Sequence, residues 1–505
     1  MSRSLMKGFV SIFSAKVATS VLSIATLPLI VRVLGPSGYG DFAFLLSVFS
    51  LLMIFISSGV TGGVQKFVAE DRDDADWEAS VIWFYFKLAA VLAAVGSLAL
   101  VAVTGSGFID QLFGPDYVIY FYLLAVFVIA AQFRAFTNRT LLGLSLEQFS
   151  EPIAVLNKVL WIGIGLALGV YFSGGVAGFL LGNIIGDVVA AVLGLVIINR
   201  YVPLRTVVGT VTTKLSERQL LTFNVLNIAL VLLVMSLYHI DVIMIRMFLG
   251  NDETGYYKAA LALAEYMWFV PIVLQSLLLH STSSLWSSGE HERVSRISAR
   301  ITRYTALLTI VMAIGIAILA DRFVPYYFGP DFLPVVAPLI FLLPGALGFA
   351  IARPIYAISQ GHGNLKPLII ATGGAALLNL VLNFLLIPRY GIIGAAVATS
   401  IGYGSMFVLH VLSARYIGYD PLDDFRALRI GATVLVSAPI IYLMDMLISS
   451  DVLALVVVPI LGGAVYFVAA IGTGALSVDE LLAILDSFPS PIRKWSKTIE
   501  TWIDG

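Results

Sequence analysis

Five cationic side chains, Lys16, Lys87, Arg134, Lys158 and Arg353, fall inside apolar stretches. A Lys or Arg near the centre of a membrane span costs about 2.5–3.5 kcal/mol on insertion scales. Near a span end, one such side chain can snorkel to the headgroups or pair with a carboxylate. Five of them, each from a different span and all at similar depth, are better explained together by a shared water-filled cavity. Such a cavity suits an anionic ligand, and Arg holds phosphate oxygens bidentately. Arg32 and Arg246 sit near the opposite ends of their spans. They mark a candidate outer mouth, with snorkelling as the competing reading.

Asp187, Asp241 and Glu265 also lie within apolar stretches. Each could pair with a cation, carry a proton or hold a metal ion. Asn379 and Asn383, four residues apart, share one helical face. Buried amides commonly bridge helices; the alternative is oxygen ligation of Na⁺ together with Asp241. The coupling ion is therefore Na⁺ or H⁺ if there is one, and no other cofactor is expected. His239, His280 and His410 show no metal-ligand spacing, and the chain has no cysteine. That excludes disulfides, thiolate nucleophiles and cysteine–metal sites. There is no Walker motif, no Gly-rich loop after a strand and no Ser/His/Asp arrangement. No catalytic residue is assigned, and no nucleic-acid partner is expected.

The elements that must position these residues are membrane helices. The 505 residues are 59% hydrophobic and 12% charged, against about 25% charged in soluble domains. Apolar runs of 18 or more residues recur, which predicts an all-α polytopic membrane protein of about fourteen transmembrane helices. The chain also repeats itself. FGPDY at Phe113–Tyr117 returns as FGPDF at Phe328–Phe332, 215 residues on. Leu34-Gly35 returns as Leu249-Gly250 and Pro152 as Pro367 at the same shift. This predicts two six-helix lobes, a common way to place a transport site between halves. The first lobe covers residues 1–198, followed by a basic linker at 199–219. The second lobe covers 220–414, two added helices lie in 415–475, and an amphipathic tail covers 476–505. Basic residues gather on alternate connections, which puts both termini in the cytoplasm by the positive-inside rule. The tail opens with a capping box, Ser477-Val-Asp-Glu480. The FGPD elements read as turns at helix starts, and Pro28, Pro271 and Pro344 as kinks.

Three segments carry a family resemblance: LPLIVRVLGPSGYGDFAF at 27–44, the paired FGPD-aromatic elements, and NLVLNFLLIPRYGIIGAAVAT at 379–399. They resemble the polysaccharide-transporter, Wzx-type branch of the MOP superfamily, which also holds MATE exporters and MurJ-type lipid II flippases. The resemblance implies two six-helix lobes around a cationic cavity. It also implies a flippase moving a lipid-linked oligosaccharide, on a polyprenyl or dolichyl (pyro)phosphate, across the cell membrane. Membrane lipids and glycan-assembly enzymes are the implied partners. MurJ-type members have a sodium site between helices seven, eleven and twelve. The matching positions here are Asp241, Asn379, Asn383, the Ala395 carbonyl and Thr399; Asn383 stands where a second carboxylate would strengthen ion binding.

Two other functions compete. A MATE-like cation-coupled exporter of small molecules predicts a cavity dominated by carboxylates, against the five inner cations. A membrane glycosyltransferase or polymerase needs catalytic residues on a substantial outer loop, and the outer connections here are short.

Overall fold

The computed structural model describes residues 3–70, 76–171, 174–202, 220 and 225–486, and these are almost wholly helical, with no strand among them. In chain order the helices are α1 (Arg3–Val68), α2 (Trp77–Gly105), α3 (Phe108–Phe113), α4 (Asp116–Gly143), α5 (Glu147–Tyr171), α6 (Gly175–Tyr201), α7 (Val225–Phe248) and α8 (Asn251–Glu265). They continue as α9 (Phe269–Ser287), α10 (His291–Phe328), α11 (Val336–Gly361), α12 (Lys366–Ile417), α13 (Ala427–Leu447), α14 (Asp451–Gly472) and α15 (Val478–Asp486). Most of the basic linker and the end of the amphipathic tail lie outside the described residues.

Among the described residues, twelve helical stretches are long and apolar enough to cross a membrane, and two of these, Val17–Val68 and Lys366–Ile417, run 52 residues each. A straight helix of that length would reach about 78 Å, against a hydrocarbon core of ~30 Å. Each breaks at a glycine with positive φ: Gly35 (φ 65, ψ 179) in α1 and Gly391 (φ 61, ψ −144) in α12. A side chain with a Cβ rarely adopts that conformation. Counted as two pairs, these stretches turn twelve crossings into fourteen, as the sequence predicts. Helix α10 is 38 residues long, more than a bilayer crossing needs, and the short helix α3 occupies the connection between α2 and α4. Hydropathy marks the lipid-buried part of a helix, whereas the backbone bonds continue into the interface. Pro271 leaves the Met267 carbonyl without its helical donor, and the chain passes through a 3₁₀ turn at Tyr266–Trp268.

The duplication is visible in the backbone. Gly114 (φ 97, ψ 168) and Gly329 (φ 106, ψ 162) share one conformation. The flanking rings repeat as well: Phe113–Tyr117 lie 5.3 Å apart and Phe328–Phe332 5.7 Å.

The chain packs as two compact units. The first comprises Met1–Leu261, Tyr327–Pro338 and Thr372–Gly402; the second comprises Ala262–Tyr326, Leu339–Ala371 and Tyr403–Gly505. These follow packing, whereas the lobes follow repetition, so the two divisions describe different properties. In the first unit, Val60, Val64 and Phe67 of α1 pack with Val81, Ile82 and Tyr85 of α2, Phe136 and Leu141 of α4 and Ile198 of α6. Helices α5 and α6 approach closely because Gly182 has no Cβ; one built there would lie 2.7 Å from the Trp161 carbonyl oxygen.

In the second unit, Arg303 of α10 is fully buried. It pairs with Asp424 at 2.5 Å and, more closely, with Glu480 of α15. Arg426 joins both carboxylates, at 2.8 and 3.4 Å. The capping box forms: Ser477 N donates to Glu480 Oε2 at 3.0 Å, and Glu480 N donates to Ser477 Oγ at 3.3 Å. Glu480 therefore caps α15 and docks it. Burial pushes both carboxylates up in pKa. For Asp424, the Arg426 hydrogen bond and the Arg303 and Arg426 charges outweigh that; for Glu480, the Ser477 amide and the Arg303 charge do so, and both end below the ordinary value. With folded values depressed, their stabilisation is complete above the unfolded pKa of about 4 and is lost as pH falls through the folded values.

Glu480→Ala should speed limited proteolysis beyond residue 472 and lower the melting temperature in detergent. The loss should stay below the ~3–5 kcal/mol of an orphaned buried charge, because Asp424 still holds Arg303. The difference between parent and variant should shrink as melts are repeated from pH 7 towards pH 3; a difference independent of pH would show that this cluster does not carry the effect.

Candidate functional site

Asp241 of α7 is fully buried in the first unit. An ionised carboxylate there needs donors, and three supply them. Val242 N donates to Oδ1 at 2.8 Å, Tyr257 Oη to Oδ2 at 2.6 Å, and Thr399 Oγ1 to Oδ2 at 3.0 Å. Asn379 Nδ2 donates onward to Thr399 Oγ1 at 3.2 Å, and Asn383 Nδ2 to the Asn379 carbonyl at 3.0 Å. The break at Gly391 turns α12 back on itself, so that Asn379 faces Thr399. Gly402 permits this: a Cβ there would lie 2.6 Å from Asn379 Cβ. Ala395 is buried one turn before Thr399.

The structure thus brings Asp241, Asn379 and Thr399 into one hydrogen-bonded chain, with Asn383 beside it. Tyr257 of α8 completes it and escaped the sequence reading. The repeat carried a signal: residue 257 corresponds to Phe42, and the second copy adds a hydroxyl. Two oxygens, Asn379 Oδ1 and Asn383 Oδ1, are buried without a hydrogen-bond partner among the described residues. Orphaned amide oxygens near a buried carboxylate fit a hard cation such as Na⁺, which takes oxygen ligands. Among the described residues, no group of three or more His, Cys, Asp or Glu side chains is placed to hold a metal ion.

The cations are held in different ways. Lys16 is in α1, with its side chain outside what is described. Lys87 of α2 is exposed, its Nζ 5.7 Å from the Trp83 ring centroid, and Lys158 of α5 lies 4.3 Å from that of Trp161. Arg134 of α4 pairs through Nε with Asp187 Oδ1 of α6 at 2.7 Å, and Asn157 Nδ2 of α5 donates to the same oxygen at 2.8 Å. Arg353 of α11 belongs to the second unit. It donates to Gln275 Oε1 at 2.9 Å, with its guanidinium 4.6 Å from the Phe349 ring centroid and 5.7 Å from that of Trp268.

At the other ends of the spans, Arg32 is exposed. Arg246 is enclosed by Phe44, Phe113 and Tyr117, with centroids 6.0, 5.6 and 4.9 Å away. Its Nε donates to Tyr117 Oη at 2.8 Å and lies 3.6 Å from Asp41, which accepts the Tyr117 hydroxyl. Phe113 and Tyr117 come from the first FGPD element, which therefore also encloses a cation. Alongside, equivalent glycines of the repeat meet. A Cβ on Gly40 would lie 1.9 Å from the Asn251 carbonyl oxygen, and one on Gly255 would lie 2.0 Å from that of Pro36. Residues 40 and 255, like 36 and 251, are 215 apart, so the contact is symmetric within the repeat. Gly255→Ala should force these backbones apart, at about the 1–3 kcal/mol typical of overpacking. A thermal melt equal to the parent would show that the contact opens without cost.

A duplicated bundle of membrane-crossing helices, with ionisable groups held inside its spans, is the architecture of a multi-pass membrane transport protein. The chain belongs to the polysaccharide biosynthesis protein family, whose model matches residues 5–274, more than half its length. It is 23% identical over 436 residues to the probable low-salt glycan biosynthesis flippase Agl15 of Haloferax volcanii, covering 85% of this chain and 86% of the relative. Its fold is shared with lipid II flippase MurJ in an inward closed conformation (TM-score 0.70, 16% identity, 92% and 98% of the two chains). It is also shared with an inward-facing multidrug resistance MATE family transporter of the MOP superfamily (TM-score 0.68, 14% identity, 82% and 95%). At these identities the likeness to solved structures is one of fold.

Proposed function

We propose that this protein is a flippase that carries a lipid-linked oligosaccharide from the inner to the outer leaflet, with its termini on the cytoplasmic side of the cell membrane. Family membership and the glycan-flippase name of Agl15 support this reading. The observation that carries it is how Lys87 and Lys158 are held. Their observed partners are indole rings, so the positive charge is stabilised without being neutralised. Lysines held this way within apolar spans suit a polyprenyl or dolichyl phosphate or pyrophosphate. The lipid tail would stay in the bilayer while the head group crosses.

Transport would proceed by alternating access, with the Gly40–Gly255 contact and the Arg246 enclosure as the parts that separate on opening outward. The double variant Arg134→Ala, Arg353→Ala, shown to insert normally, should lose most transport of labelled lipid-linked glycan in proteoliposomes. Undiminished transport would remove the cationic-site reading.

The Asp241 chain is the candidate coupling site. Asp241, the two orphaned amide oxygens and Thr399 would hold Na⁺, which would supply the positive charge that balances the buried carboxylate. Tyr257 orients Oδ2 and keeps it hydrogen-bonded. Transport driven by a sodium gradient should become independent of that gradient in Asp241→Asn. Equal sodium dependence in parent and variant would move coupling elsewhere.

A further inference from the structure

We infer that the small pocket between α4, α5 and α6 seats one phosphoryl group, with Arg134, Ser150 and Asn138 as its ligands and Asp187 as the internal counter-ion that holds Arg134 in position. The inference rests on the transport reading above and assigns its charged head group to one place.

Three helical faces build the pocket. Helix α4 gives Arg134, Thr137, Asn138 and Leu141; α5 gives Ser150, Ile153, Ala154 and Asn157; α6 gives Ala190 and Gly194. The spacings are those of one face on each helix. Asp187 lies three residues before Ala190, on the same face of α6. Gly194 lets α4 and α6 approach closely at the edge of the pocket: a Cβ there would lie 2.6 Å from Thr137 Cβ.

Two observations point to an oxyanion. First, a guanidinium has five N–H donors in a planar fork. Arg134 Nε lies 2.7 Å from Asp187 Oδ1 without the alignment of a hydrogen bond, so charge attraction holds the guanidinium near α6 without using its N–H donors. The side chain remains 39% exposed while Asp187 is 6% exposed, so the buried partner positions the group and the exposed partner presents it. Second, the Ser150 hydroxyl is fully buried, lines the pocket and has no hydrogen-bond partner among the described residues. A buried hydroxyl left unsatisfied is costly unless a ligand or a water completes it. Guanidinium, hydroxyl and amide around one opening are donors for a tetrahedral oxyanion.

Size decides what part of the substrate enters. The cavity proper is small, about 20 Å³ against the ~10–15 Å³ that a single water needs, and it is partly open. Only one small group can enter, so a phosphoryl group would seat at the open side with an oxygen reaching inward, and an oligosaccharide is excluded. Asp187 has a second effect. It is a fixed negative charge beside the anion seat, so it limits affinity and lets the phosphoryl group leave after transport.

The test uses full-length protein in detergent, with binding measured by native mass spectrometry or thermophoresis. The probes are a short-chain polyprenyl monophosphate, the same polyprenol without phosphate, inorganic phosphate, and phosphatidylglycerol. The phosphorylated polyprenyl probe should bind at least tenfold better than the alcohol. Ser150→Ala should weaken it about tenfold, and Asn138→Ala severalfold. Asp187→Asn keeps an acceptor for Arg134 but removes the charge. It should bind about tenfold more tightly and release more slowly, with transport reduced. A residue that merely supports the fold would not strengthen binding when changed.

Unchanged affinity in both Ser150→Ala and Asp187→Asn would overturn the proposal, as would equal binding of alcohol and phosphate. Phosphatidylglycerol or inorganic phosphate binding as well as the polyprenyl phosphate would overturn the assignment to the carrier lipid. The two readings separate cleanly. Pocket-dependent binding without any transport of lipid-linked glycan would defeat the flippase reading alone. Transport by the parent with pocket-independent binding would defeat the pocket alone.

Discussion

An ionised side chain inside a bilayer must be stabilised by something other than water, and this requirement organises the structure more than any packing motif. The chain meets it in four ways. Asp187 answers Arg134 with a carboxylate. Gln275 and the rings of Phe349 and Trp268 answer Arg353. Indole faces answer Lys87 and Lys158. Two hydroxyls and a backbone amide answer Asp241. The choice of partner sets what remains available. A carboxylate cancels charge, an amide or a ring stabilises it without cancelling it, and a hydroxyl chain leaves acceptor oxygens nearby. The first holds a guanidinium in place and weakens its grip on an anion, the second leaves the full charge for an anionic cargo, and the third suits a small cation.

Duplication supplies the frame on which these choices differ. The halves share backbone features, such as the paired conformations at Gly114 and Gly329. They diverge in side-chain chemistry at matching positions. Asp41 bonds to Tyr117 in the first copy; in the second, Tyr256 meets Phe332 edge-on at 5.9 Å. Phe42 packs against Phe179, whereas its counterpart Tyr257 bonds to Asp241. At 41/256 a carboxylate gives way to a phenol and at 42/257 a phenyl ring gains a hydroxyl, so one site encloses Arg246 and the other joins a polar chain. The symmetric Gly40–Gly255 contact joins the two copies where neither carries a side chain.

Much of this could be read from the residues in order. Apolar run length determines that the chain crosses a membrane, because backbone groups in lipid must bond within a helix. The 215-residue shift determines the duplication. Spacing put Asn379 and Asn383 on one face, and the Ser477–Glu480 pattern announced the capping box; both are local, since neighbours three or four apart on a helix must meet. Only the tertiary structure decided which distant groups meet. Tyr257 reaches Asp241 across two helices, Asp187 rather than bulk water receives Arg134, and the first FGPD element encloses Arg246 besides turning the chain. A linear sequence carries the cost of each buried charge but not its partner, because the partner is chosen by how helices pack, and that packing depends on glycines whose significance lies in what a Cβ would strike.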